Sequence, residues 1–175
     1  MVRIIRLALA ILIGLASLQA EAAELEYQVK AAFLYNFAKF VEWPSTVATD
    51  SETFTIGILG NDAVGAALEQ TIQGKMVRQR PIAVKRSRDL ESLKDCQVLF
   101  IGFSENDRLK QILQALEGRS TLTVSELEGA AHRGVMINFV IREQKVRFEV
   151  NSKAAERAHL KISSQLLKLA SSVTP

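Results

Sequence analysis

The residues able to do chemistry are few and scattered. The 175-residue chain has two histidines, His132 and His159, in different segments. No HExxH, CxxC or clustered carboxylate pattern accompanies them, so neither a metal site nor a cofactor is expected. A serine nucleophile of the hydrolase kind would sit in a GxSxG elbow, which the chain lacks. Ser163 and Ser164 stand just before Leu166 and Leu167, where a serine oxygen caps a helix. Gly57, Gly60 and Gly65 surround an apolar run as a phosphate loop would. They lack the dinucleotide spacing and the Lys-Ser/Thr of a P-loop, and a tight turn is the simpler reading. No residue is assigned a catalytic role, and the chain is expected not to be an enzyme.

Two constellations remain as binding candidates. Phe40, Trp43 and Pro44 place more aromatic area at the end of the first helix than a terminus needs, which suits a protein partner or a cap on the core. Lys39, Arg157 and His159 would form an anion- or ligand-binding patch if the fold gathered them, and are otherwise solvated charges. Two further residues read as structural. Asn36 interrupts an apolar helical stripe, so its amide is expected to find backbone partners. Cys96 is the only cysteine, which rules out an intrachain disulfide. It precedes the apolar run 98–101 and reads as a buried small hydrophobe.

The elements that must position these residues follow from periodicity. Leu25, Val29, Ala32, Phe33, Phe37 and Phe40 recur at three- and four-residue steps, predicting a helix over 24–41 that Pro44 ends. After a polar stretch at 46–53, residues 54–59 read as a buried strand. Gly60, Asn61 and Asp62 read as the turn into a helix reaching Ile72. Further strands are expected at 82–85, 97–101 and 122–124, with a short helix at 89–93. Ser104 and Asp107 resemble a capping box opening a helix that Gly118 stops. Strands alternating with helices predict an α/β fold, a mostly parallel sheet flanked by helices on both faces. The pattern differs in the tail, where 135–141 and 145–150 are close enough to pair only as an antiparallel hairpin. Asn151 or Ser152 can cap the following helix, and 160–170 adds a last short one.

The first 22 residues have the order of a secretory signal. Arg3 and Arg6 form a positive start, residues 7–18 are apolar, and Ala20 and Ala22 flank Glu21 as an A-x-A cleavage site. The apolar run is too short for a membrane span. Cleavage after Ala22 would leave residues 23–175 as a single domain in the bacterial periplasm. Removing Arg3, Arg6 and Glu21 from the 22 basic and 19 acidic residues leaves a net charge of +2. With that balance, and with no basic run interleaved with aromatics, nucleic acid is not an expected partner.

Four stretches in this order resemble one family, the YfiR/HmsC-type periplasmic proteins. They are YQVKAAFLYNFAKFVEWP at 27–44, FTIGILGND at 54–62, GVMINFVIREQKVRFEVN at 134–151 and AERAHLKISSQLLKLA at 155–170. The resemblance implies a periplasmic α/β domain that represses an inner-membrane diguanylate cyclase by binding its periplasmic domain. Cyclic di-GMP and the biofilm and exopolysaccharide it promotes would then fall. It further implies an OmpA-like outer-membrane lipoprotein as a second partner, and a homodimer is compatible with it. The better-known members carry disulfides, and the single Cys96 departs from that pattern. The alternative expectation is a small-ligand sensor or solute-binding module built on Lys39, Arg157 and His159.

Overall fold

The computed structural model describes residues 2–44, 52–60 and 63–174, with side chains from Glu21 onward. Most of the polar stretch at 46–53, and Asn61 and Asp62 of the strand-to-helix turn, lie outside the described residues.

The strands with the longest apolar runs form the centre of the sheet. β2 (Phe54–Leu59) is flanked by β4 (Arg80–Ser87) on one side and β5 (Val98–Ile101) on the other. β6 (Leu122–Ser125) and β7 (Ile137–Arg142) follow outward, all five parallel. The chain thus winds one way from β2 to β4 and the other way from β5 onward, which requires cover on both faces. Alternation delivers it. Phe54, Ile56, Ile58, Val98, Phe100, Leu122 and Val124 enter one core layer, while Leu59, Leu99 and Ile101 enter the opposite one.

The first layer is covered by α1 (Val2–Phe40) and α2 (Val64–Ile72), the second by α3 (Leu109–Ala115), the 3-10 turn Glu91–Leu93, and Leu127, Ala130 and Val135. Phe33 and Phe37 of α1 pack on Phe139 and Phe148. The Phe37–Phe148 centroids lie 5.1 Å apart at 70°, the edge-to-face contact that ring quadrupoles favour.

The sheet ends in antiparallel and short pieces. β7 turns directly into β8 (Lys145–Asn151), pairing Arg142 with Lys145, so Glu143 and Gln144 alone make the turn. Their φ values of 50° and 58° match the left-handed turn that the twist of a two-residue hairpin demands. Asn151 caps α4 (Ser152–Arg157) by accepting from Ala154 N–H at 2.9 Å, as its residue type predicts. Ser163 caps α5 (Ser164–Leu169) through Leu166 N–H, the role expected of it.

The structure departs from the sequence expectations at several points. α1 begins at Val2, so the helix expected over 24–41 is longer at its start. Its core face is Ala31, Leu34, Phe37 and Ala38, rotated from the expected stripe, and Ala32 and Leu25 are exposed. Ser104 and Asp107 form no capping box. The chain enters a 3-10 turn after Gly102, and the Ser104 hydroxyl bonds the Glu105 carboxylate. The expected helix at 160–170 is divided by β9 (Lys161–Ile162), which pairs with β1 (Val41–Glu42) as a separate two-stranded ladder. β3 (Met76–Val77) and β10 (Ser172–Thr174) form the two outer edges of the eight-stranded sheet.

Candidate functional site

Where a doubly wound sheet reverses, ligands commonly enter between the carboxyl ends of the two diverging strands, here β2 and β5. That place is filled. Gly60 leaves β2 at φ 99°, and a methyl group there would stand 2.4 Å from Ser104 Oγ and 3.0 Å from Glu105 Oε1. Glu105 is buried and paired to Arg108. A buried carboxylate against the Gly60 turn repels phosphate, so the glycines serve a tight turn.

The corner at the end of α1 is built by the β1–β9 ladder, which sets Val41 opposite Ile162 and Glu42 opposite Lys161. Trp43 turns inward: it is 7 % exposed, with its ring edge-to-face on Phe54 at 5.3 Å. Of the two readings open for the helix-end aromatics, Trp43 therefore takes the core. Phe40 and Pro44 stay half-buried at the surface. Basic groups surround this corner. Lys39 Nζ lies 5.8 Å from the Phe40 ring centroid and 5.4 Å from that of Tyr35, and Lys75 Nζ sits 4.8 Å from Tyr35. The Arg78 guanidinium lies 5.6 Å from the Trp43 centroid and donates to Val41 O at 2.9 Å. Lys75 and Arg78, from the segment around β3, are members of this cluster that periodicity alone does not reveal.

Lys39, Arg157 and His159 are not gathered into one cavity among the described residues. Lys39 precedes β1 and His159 precedes β9, so antiparallel pairing sends them to opposite ends of the ladder. Arg157 instead lines a cavity of about 600 Å³ with Lys110, Arg119 and Arg133, over Leu113 and Met136. Four basic groups there face one carboxylate, that of Glu117.

Asn36 is half-buried on α1, and its side chain has no hydrogen-bond partner among the described residues, so the backbone partner expected for it is not found. Cys96 is buried, and burial pushes its thiol from 9.0 to about 11, against a smaller opposing pull from Lys85. Lys30 is a core residue that the sequence pattern does not show. It is 4 % exposed and paired to the carboxylates of Glu26 and Glu126. Burial works to lower its pKa, and the two carboxylates outweigh it, leaving it above the ordinary lysine value. Among the described residues no group of three or more His, Cys, Asp or Glu is arranged to hold a metal, and no helix is long and apolar enough to cross a membrane.

Among solved structures, the chain is similar to a conserved domain protein from Vibrio cholerae, with 10 % identity and a TM-score of 0.54, covering 69 % of this chain and 55 % of that one. It also matches the ABC domain from Streptococcus pneumonia solved in complex with L-Trp, with 11 % identity and a TM-score of 0.46 over the same shares. The chain thus spans about half the length of these structures, and the first likeness concerns the fold alone. Comparison with curated proteins finds no match. A family model described as YfiR/HmsC-like matches residues 27–171, a span that holds every strand of the large sheet except β10. The chain belongs to the YfiR/HmsC-like family.

Proposed function

We propose that the protein is an exported periplasmic regulator that represses an inner-membrane diguanylate cyclase by binding its periplasmic domain. Cyclic di-GMP falls as a result, and with it biofilm and exopolysaccharide output. The observation that carries this reading is the family match across residues 27–171. An OmpA-like outer-membrane lipoprotein is the second partner the family suggests, by capturing the repressor. Repression of this kind needs no bond chemistry, only tighter binding to the inactive form of the cyclase. A hundredfold preference biases the switch by about 2.7 kcal/mol.

The docking surface in this reading is the corner at the end of α1, where Lys39, Lys75 and Arg78 surround Phe40 and Pro44. Half-buried aromatic area ringed by cations suits an acidic partner surface carrying an apolar anchor. Lys39→Glu combined with Lys75→Glu tests this, since both side chains are exposed and neither holds the core. The double variant should remain folded and lose most repression in cells. A folded double variant that represses normally would remove the corner from the account. A small-ligand sensor is the second reading, favoured by the basic cavity around Arg157. An organic-anion panel that raised the thermal midpoint of the wild type but not of Arg157→Ala would support it.

A further inference from the structure

The sheet has a free edge that the docking corner does not use. β6 stops at Ser125, opposite Asn138, whereas β7 continues to Arg142 with β8 as its only strand neighbour among the described residues. Residues 139–142 therefore overhang the end of β6, and they line a cavity of about 640 Å³, a size usual for small-ligand sites. Asn138 lines the same cavity. It is 1 % exposed, yet among the described residues neither its Oδ1 nor its Nδ2 has a hydrogen-bond partner. Alternation explains its direction, because Ile137 and Phe139 enter the core beneath α1 and Asn138 must point to the other face. Buried side-chain amides are almost always satisfied, so a donor and an acceptor left together beside a cavity mark a place where a ligand group completes the pair.

The surroundings narrow the ligand. Lys30 and Arg142 face the carboxylates of Glu26, Glu126, Glu128 and Glu149, a net charge of −2 with His132 neutral, which disfavours phosphates and polycarboxylates. Two large apolar side chains stand at the same cavity, Phe103 at 72 % and Ile141 at 52 % exposure. An amide recognises most completely a group that offers one acceptor and one donor side by side, as the N–H and C=O of a single residue in an extended backbone do, and an unpaired strand edge accepts such a backbone by strand addition. We propose that this cavity binds a short extended peptide, neutral or basic, whose backbone pairs with residues 139–142 and meets the Asn138 amide while an apolar side chain rests on Phe103 and Ile141. The site is separate from the docking corner, and neither proposal depends on the other.

The test uses the purified full chain, isotopically labelled, with acetyl-Lys-Phe-Lys-amide as probe and acetyl-Glu-Phe-Glu-amide as its acidic counterpart. At millimolar concentration the basic peptide should shift the backbone amides of residues 139–142 and the side-chain amide of Asn138. The acidic peptide should shift them at least tenfold less at equal concentration. Asn138→Leu removes the unpartnered amide while keeping its bulk, so it should melt no lower than the wild type and lose the shifts. The absence of shifts at millimolar peptide would overturn the proposal, as would equal response to both peptides. A folded Asn138→Leu with a lowered melting temperature would instead make Asn138 a structural residue. If that variant does not fold, the wild-type side-chain amide signal decides alone.

Discussion

Two residues tie single-atom environments to measurable chemistry. Cys96 sits where Gly57 leaves room: a methyl on Gly57 would approach its sulfur to 3.0 Å. A buried thiol pushed to about 11 is almost wholly protonated at neutral pH, so thiol reagents should label it slowly in native protein and fully in denaturant. Rapid native labelling would contradict this placement. The same thiol, with Lys30, sets an alkaline limit. Both pKa values are raised on folding, so the unfolded chain holds fewer protons once pH passes the unfolded values, and stability then falls with pH. Stability should be steady through neutrality and decline from about pH 9, with Cys96 accounting for about 2 kcal/mol by pH 11. Urea titrations across pH check this, and Cys96→Ala should flatten the curve between pH 9 and 10. Trp43 belongs with these residues. Its ring fills the core against Phe54, and Trp43→Ala should cost about 3 to 5 kcal/mol of stability, read from its unfolding midpoint.

Among the elements, the β7–β8 turn carries a cost the sequence leaves in place. Glu143 and Gln144 both hold positive φ without the glycine or asparagine that adopts it easily. Replacing the pair by Asn-Gly should raise stability by about 1 kcal/mol, and an unchanged or lower melting temperature would contradict the turn geometry. The central strands are legible in the sequence for a physical reason. β2 and β5 are buried on both faces, so their apolar runs are continuous, and β8 is wet on one face, so Val146, Phe148 and Val150 alternate with charges. The two- and three-residue strands β1, β3, β9 and β10 hold too few residues to show any period. The core face of α1 is hidden from periodicity because Lys30, a charged residue, occupies a core position that two carboxylates make tenable, Glu26 one turn away and Glu126 from a distant segment. The capping box at Ser104 does not form because the 3-10 turn starts at Phe103 with Gly102 before it, which puts Ser104 inside the turn and not at its cap.

At the scale of the whole molecule, a sheet covered on both faces through its parallel half is a rigid support, and the candidate surfaces lie where regular cover ends. The corner at β1 lies beside the core layer, and the cavity at Asn138 lies where β6 ends before β7. The aromatic corner is visible in the sequence as Phe40, Trp43 and Pro44, but its cations Lys75 and Arg78 come from a distant segment that only the fold brings near. Asn138 also leaves a sequence signal, a lone amide in the apolar run Ile137 to Val140, whose meaning depends on which face it meets. The proposed role as an exported repressor is tested most directly by one measurement: cellular cyclic di-GMP in a strain lacking the gene, complemented by the full chain or by residues 23–175 without the leading segment. Cyclic di-GMP should rise on deletion, return to its starting level with the full chain, and stay high with the leaderless form. A deletion that leaves cyclic di-GMP unchanged in cells that normally make the protein would contradict the account.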